Sequence, residues 1–159
     1  MKPRIQVSIQ TSYSDLRNSP VLLVGALDNS WTTRFIDGLR YRMKVGTGSS
    51  TLQIYNSEKP DQEHWKLDFS TPTEHVTEDY AIIARFADRT TENTVIVAAG
   101  LGEDGTSAAA DFVTHPQYLS SLGDEAPKNW SVRNVEAVII TQVIDGKPGP
   151  PVVIAKYFW

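Results

Sequence analysis

The 159-residue sequence contains no cysteine, which excludes disulfides, thiolate-bound metals and a cysteine nucleophile. It also lacks an apolar run of the roughly 20 residues that a bilayer-spanning helix needs, and no signal-peptide pattern follows its basic N-terminus. Basic residues are not in excess, since 15 lysines and arginines stand against 19 acids, for a net charge of -4. We therefore predict no nucleic-acid contact, and no membrane contact by this domain itself.

Signatures of catalysis and metal binding are missing too. The sequence has no Gly-x-Ser-x-Gly elbow, and no Gly-Lys-Ser or Gly-Lys-Thr that would complete a P-loop. Its three histidines, His64, His75 and His115, lack the His-x-x-x-His spacing of a helical metal site. The sequence accordingly predicts no metal, no cofactor and no catalytic residue.

The composition, with 40% apolar and 21% charged residues, is that of an ordinary globular protein. A length of 159 residues suits one domain, which we place at 1–159. Ile5, Val7 and Ile9 alternate with polar residues, which predicts a half-buried strand almost at the start of the chain. We therefore expect a single domain excised from a longer chain.

The pattern of apolar runs predicts an α/β fold. Val21–Gly25 and Val95–Gly100 are continuous apolar runs, typical of parallel strands buried on both faces. An amphipathic helix is predicted over 30–40, and short antiparallel strands follow it. Val135–Ile144 and Val152–Phe158 form a closing hairpin. We predict a mixed sheet with a parallel core, flanking helices and a C-terminal antiparallel hairpin.

The run from Gly100 to Thr106 has the pattern Gly-x-Gly-x-x-Gly between an apolar strand and a helix. That order is the usual setting for a bound anion or nucleotide. Two acids inside the turn, Glu103 and Asp104, would however repel a phosphate. The alternative is a structural turn whose helix is capped by Asp104 or Thr106.

A second turn, from Gly25 through Asp28 and Asn29 to Ser30, resembles the first. If the strands that precede the two turns are parallel and close, both turns lie at the carboxyl edge of the sheet, where α/β proteins bind ligands. The predicted ligand-binding residues are Gly25, Asp28, Asn29, Ser30, Gly100, Gly102, Glu103, Asp104, Gly105 and Thr106.

The basic residues are scattered except for one local cluster. Arg34, Arg40, Arg42 and Lys44 lie within eleven positions of the chain. Such a run usually marks the solvated edge of a helix, and this is the interpretation we adopt from the sequence.

Three segments together, Ser19–Thr32, Val97–Thr106 and Gln142–Pro151, resemble an uncharacterised bacterial domain. That domain is found at the C-terminal end of membrane-anchored proteins with an N-terminal winged-helix or similar regulatory module. The resemblance implies a sensory or ligand-binding module in the extracytoplasmic part of a membrane-anchored protein, with the cytoplasm as the alternative. It brings no functional residues with it.

We therefore predict a non-catalytic sensory or ligand-binding domain of a bacterial signalling or regulatory protein. Its partner would be an unidentified small molecule or protein. One alternative is an enzyme that binds a nucleotide or phosphorylated small molecule at the turn 100–105. Another is a protein-interaction module, which would gather Trp31, Trp65, Trp130 and Trp159 in one exposed patch.

Overall fold

The computed structural model describes residues 4–48 and 50–159. The chain combines helices and strands, with five consecutive strands between the second and third α-helices. In chain order the elements of the described residues are α1 (Tyr13–Arg17), β1 (Val21–Val24), α2 (Ser30–Ile36), β2 (Tyr41–Val45), β3 (Thr51–Asn56), β4 (His64–Asp68), β5 (Glu78–Asp88), β6 (Asn93–Gly100), α3 (Glu103–Thr114), α4 (Pro116–Ser120), β7 (Val135–Ile144), β8 (Lys147–Pro148) and β9 (Val152–Phe158).

The main sheet has the strand order β1-β6-β5-β7, and β8 and β9 both pair with β7. The pair β1–β6 is parallel, with Leu23 opposite Val97, whereas β6–β5, β5–β7, β7–β8 and β7–β9 are antiparallel. The mixed sheet and the closing hairpin of β7 and β9 confirm the predicted fold class. The parallel pair lies at one edge, so the centre of the sheet is antiparallel.

A small antiparallel sheet of β2, β3 and β4 lies against one face of the main sheet. Ile54 of this sheet packs on Ile82 and Val138 of the main sheet. On the same face, α2 covers Val95 and Val97. The small sheet and α2 thus form one layer beside the main sheet.

Helix α3 covers the opposite face of the main sheet. Its Ala108, Ala109 and Phe112 are buried against apolar residues of β5, β6 and β7. The small alanine side chains let the helix approach the sheet closely, and Phe112 fills the space toward α4. The domain therefore has three layers, with β5 and β7 buried on both faces. Within the described residues no helix is both long and apolar enough to span a membrane.

Two predicted features of the N-terminal part were wrong. Ile5 and Ile9 lie outside any strand and are 95% and 91% exposed, because residues 5–9 pair with no neighbouring strand. The β1 run is also not buried on both faces, since Leu22 and Val24 retain 45% and 46% exposure. As an edge strand, β1 is covered by α2 on one face alone.

A buried carboxylate joins the two sheets. Glu136 lies on β7, is 0% exposed, and accepts hydrogen bonds from the backbone N–H of Arg40 at 3.1 Å and of Tyr41 at 3.0 Å. These two amides lie just before β2 and at its first residue, so the carboxylate holds the chain in place where the small sheet begins. Burial raises the pKa of Glu136 to about 8, although the two N–H donors favour the charged form.

The raised pKa of Glu136 makes the stability of the domain depend on pH. Because the folded state holds this proton up to about pH 8 while the unfolded chain releases it near 4.5, the free energy of unfolding should fall as pH rises between these values. We expect Glu136→Gln to flatten that part of the profile, measured by urea unfolding at several pH values. The control is Glu74→Gln, at an exposed position. A slope that survives in Glu136→Gln would assign the pH dependence to other groups.

Candidate functional site

The structure brings the two glycine turns together at one edge of the main sheet. The backbone N–H of Gly25 donates to the carbonyl of Ala98 at 3.1 Å, so the β1 turn begins beside the end of β6. Between the turns lies an open cleft of about 590 Å³, which we call the glycine cleft. Its lining includes Gly25, Asp28, Gly100, Gly102, Glu103 and Thr106 from the sequence-based site.

The first turn has a structural explanation. The Asn29 side-chain oxygen accepts from the backbone N–H of Trp31 at 3.1 Å and of Thr32 at 3.3 Å, so Asn29 is the N-cap of α2. Its amide nitrogen also donates to the Val24 carbonyl at 3.1 Å. Gly25 has a φ of +101°, a conformation that L residues rarely adopt. The polar residues of this turn therefore organise the entry into α2.

At the second turn, a carboxylate of the protein occupies the place of an external anion. Asp79, 2% exposed, accepts from the backbone N–H of Gly102 at 3.2 Å and of Gly105 at 2.7 Å. Burial raises the pKa of Asp79, and the hydrogen bonds from these N–H donors lower it by a smaller amount. The backbone N–H of Thr106 donates to the Gly102 carbonyl at 3.1 Å. The backbone N–H groups of Gly102, Gly105 and Thr106 are thus already bonded within the protein.

Asp79 also corrects the predicted cap of α3. The N-cap residue is Gly102, which has no side chain to accept a hydrogen bond. Neither Asp104 nor Thr106 accepts one from a first-turn amide. The Thr106 hydroxyl instead donates to the Gly102 carbonyl at 2.9 Å. A residue of β5, distant in sequence, therefore caps the helix, and local pattern analysis had no means of finding it.

The three glycines are required by close packing. A Cβ at Gly100 would lie 2.0 Å from the Thr106 nitrogen, and one at Gly105 would lie 2.6 Å from the Tyr80 carbonyl oxygen. At Gly102 it would lie 2.6 Å from an Asp79 oxygen. The Gly-x-Gly-x-x-Gly spacing thus lets α3 begin directly against β5 and the Asp79 carboxylate.

The chemistry of the glycine cleft does not favour anions. Much of its wall is apolar, including Leu52, Phe69 and Leu101. Its charged lining residues are Asp28 and Glu103. Among residues 4–48 and 50–159, no group of histidine and acidic side chains is arranged to hold a metal ion. Nothing in this cleft would offset the charge of a phosphate.

A larger cleft of about 780 Å³ lies at the opposite end of β5 and β6. The described residues place four arginines in its lining, Arg34, Arg40, Arg42 and Arg89, and two carboxylates, a formal charge of +2. We call it the arginine cleft. A positive cleft is unexpected on a chain whose net charge is -4. Arg34 is an exposed residue of α2, in agreement with the solvated helix edge predicted from the sequence, whereas Arg40 and Arg42 lie outside any helix, just before and within β2.

The guanidiniums differ in how they are held. Arg40 forms an ion pair with Glu58 at 2.9 Å and lies 3.5 Å above the centre of the Tyr157 ring. Arg42 donates from Nε to the Leu39 carbonyl at 2.7 Å. Within the described part of the chain, Arg34 and Arg89 form no ion pair or hydrogen bond, and the Nη atoms of Arg42 form none. Several donors therefore remain for a bound anion.

Aromatic rings line the inner part of the arginine cleft. Tyr157 and Trp159 of the C-terminal segment are stacked, with ring centres 5.5 Å apart and planes 11° from parallel. Phe86 lies 6.3 Å from Trp159, and Phe35 lies 6.0 Å from Phe86. A signal of this site was present in the sequence, because Phe35 falls between the clustered arginines. Arg89 and the C-terminal aromatics join them only through the fold.

The four tryptophans are not gathered in one patch. Trp31 lies beside Tyr13 and Phe35, and Trp65 packs on Tyr41. Trp130 contacts the cluster on the α3 face of the sheet. Trp159, at 37% exposure, is the most exposed of the four. The tryptophans therefore lend no support to a single aromatic interaction surface.

Comparison with known proteins found no matching family model, no matching curated protein and no matching solved structure. Of the two clefts, the arginine cleft has both the free donors and the apolar surface that a ligand needs.

We expect Asp79→Ala to lower the free energy of unfolding by about 2–4 kcal/mol, because two buried N–H donors of α3 lose their acceptor. The measurement is chemical denaturation. The control Asp104→Ala removes a first-turn acid without such bonds and should cost less than about 1 kcal/mol. Equal effects of the two substitutions would show that Asp79 acts as a general helix-terminus charge rather than as a cap.

We expect Gly100→Ala to destabilise the domain by about 3 kcal/mol or more, because the new methyl group overlaps the backbone at Thr106. Gly38→Ala is the matched control, since the nearest atom to its new Cβ is 3.8 Å away. That variant should stay within about 0.5 kcal/mol of the parent in thermal unfolding. A tolerated Gly100→Ala would contradict the packing account of the glycine motif.

Proposed function

We propose that this chain is a non-catalytic ligand-binding domain that holds a small anionic molecule in the arginine cleft. The observation that carries the proposal is the concentration of positive charge there. Arg34, Arg42 and Arg89 present guanidinium donors with no ion-pair partner in the described residues, at a cleft of formal charge +2.

Guanidinium groups suit this task because their planar forks match the oxygens of carboxylates and phosphates. A cleft of about 780 Å³ is within the roughly 300–1,000 Å³ range of small-molecule sites. Positive charge inside a concave surface also attracts anions from solution more effectively than isolated surface charges. Size and charge therefore agree on a small anion.

The polar groups of the arginine cleft favour binding over chemistry. Arginine stays protonated in proteins and is a poor proton donor or acceptor in a reaction. The two carboxylates of the lining are engaged, Glu58 with Arg40 and Asp88 with the backbone N–H and hydroxyl of Thr91. The described lining contains no histidine that could act as a general base. The proposed role therefore ends with recognition.

A sensory role in a bacterial regulatory protein is part of the same proposal and is supported by the sequence resemblance alone. The rival idea of an enzyme acting at the turn 100–105 loses its main support, because Asp79 already bonds the Gly102 and Gly105 amides. The interaction-module alternative lacks its gathered tryptophans.

Thermal unfolding in the presence of a panel of organic phosphates and carboxylates tests the proposal. We expect at least one compound to raise the melting temperature, since a ligand at 100 times its Kd adds about 2.7 kcal/mol to the stability of the folded state. Sodium chloride at the same ionic strength serves as the reference, because exposed charge interactions are screened by salt.

The double variant Arg42→Ala/Arg89→Ala should lose this stabilisation. Lys128→Ala/Lys147→Ala removes the same charge from exposed positions that do not line the cleft, and should retain it. If no compound shifts the melting temperature beyond the salt reference, or if both double variants respond alike, the arginine cleft is not an anion site.

A further inference from the structure

Resting on the proposed function, we infer that the ligand of the arginine cleft is a planar aromatic anion. Its ring would lie against Trp159, and its carboxylate or phosphate would be bound by the guanidiniums around it. The inference comes from the arrangement of rings and cations in the cleft, which goes beyond what binding a simple anion requires.

The cleft contains a column of stacked planar groups. The Arg40 guanidinium lies 3.5 Å above the centre of the Tyr157 ring, and the Tyr157 ring stacks on Trp159 at 5.5 Å. The Tyr157 ring therefore contacts both a cation and a second ring of the protein. Trp159 retains 37% exposure and is the ring of the column that is accessible to a ligand.

Contacts with neighbouring residues fix the positions of these stacked groups. Glu136 accepts from the backbone N–H of Arg40 at 3.1 Å and fixes the main chain there. Glu58 holds the end of the same side chain at 2.9 Å. The strand that carries Tyr157 is paired with β7 through Glu136 itself. A site whose groups are already ordered loses less conformational entropy when a ligand binds.

The guanidinium donors of the cleft would recognise the anionic group of the ligand. The Nε atom of Arg40 has no hydrogen-bond partner among the described residues but is shielded from solvent, so the accessible donors are those of the other three arginines. The Nη atoms of Arg42, together with Arg34 and Arg89, add donors at the same cleft. An anionic group bound here would accept charge-assisted hydrogen bonds from these guanidiniums.

A bare inorganic anion would fit this cleft poorly. The cleft, of about 780 Å³, is far larger than one oxyanion, and rings such as Phe35, Phe86 and Trp159 form part of its wall. A flat aromatic body would bury that apolar surface, and stacking on an aromatic side chain adds to the affinity. A ring and an anion in one molecule therefore use the cleft more completely than either does alone.

Isothermal titration of the intact chain with four probes tests the inference. Inorganic phosphate carries the charge without a ring, and adenosine carries a ring without the charge. Adenosine monophosphate and naphthoate carry both, and their comparison separates a phosphate-bearing ligand from a carboxylate-bearing one. We expect at least one of the two aromatic anions to bind about tenfold or more tightly than phosphate and than adenosine.

Each outcome has a distinct meaning. If phosphate binds as tightly as both aromatic anions, the ring requirement is overturned while the anion-binding function stands. If adenosine binds as tightly as adenosine monophosphate, the anionic requirement is overturned. If none of the probes binds, neither the inference nor the proposed function survives for these ligand classes.

A variant pair locates the binding ring. Trp159→Leu should cost about tenfold in affinity for the tighter aromatic anion and leave phosphate binding unchanged. Tyr55→Leu is the matched control, because Tyr55 also has a cation, Lys44, over its ring at 4.5 Å but does not line the cleft. Ligand binding should also quench tryptophan fluorescence in the parent chain, and this signal should disappear in Trp159→Leu. Equal losses in the two variants would overturn the assignment to Trp159.

Discussion

The bond between Glu136 and the start of β2 organises much of this domain. A fully buried carboxylate on the central part of the main sheet accepts the N–H groups of Arg40 and Tyr41. A buried carboxyl group is costly unless it is hydrogen-bonded, whether it is charged or, as its raised pKa favours, protonated, and the two amides bonded to it hold the start of the small sheet in place. The same contact positions Arg40 at the wall of the arginine cleft. Architecture and candidate site therefore share one interaction.

Asp79 uses the same chemistry on the other face of the main sheet. Its carboxylate binds the Gly102 and Gly105 amides under the first turn of α3. In both places an acid inside the protein satisfies backbone donors that would otherwise be buried without partners. The glycine motif, although typical of nucleotide sites, here allows α3 to pack closely against β5. The carboxyl group bound at this turn is the side chain of Asp79.

The two ends of the main sheet consequently differ in chemical character. One end holds the glycine cleft, with apolar walls and the acids Asp28 and Glu103. The other end holds the arginine cleft, with a formal charge of +2 and stacked aromatic rings. Because a concave surface concentrates the field of its charges, the local potential in each cleft differs from what the overall charge of -4 would indicate.

The local patterns of the sequence determined the α/β class, most strands of the main sheet and the hairpin of β7 and β9. Periodicity acts over a few residues, and those features depend on little else. The alternation at residues 5–9 failed because a strand needs a partner, which the sequence alone does not reveal.

The tertiary structure alone decided the site. Asp79 reaches the glycine motif from 23 positions earlier in the chain, and Glu136 reaches Arg40 across 96 positions. Arg89, Tyr157 and Trp159 join the arginine cluster only when β5 and β9 are placed in the sheet. Hydrogen bonds, charges and ring contacts depend on distance in space and not on separation in sequence. Asp79 therefore bonds the amides of the turn that the sequence predicted to bind an anion. Arg89, Tyr157 and Trp159 likewise form a cleft with arginines for which the sequence indicated a solvated helix edge.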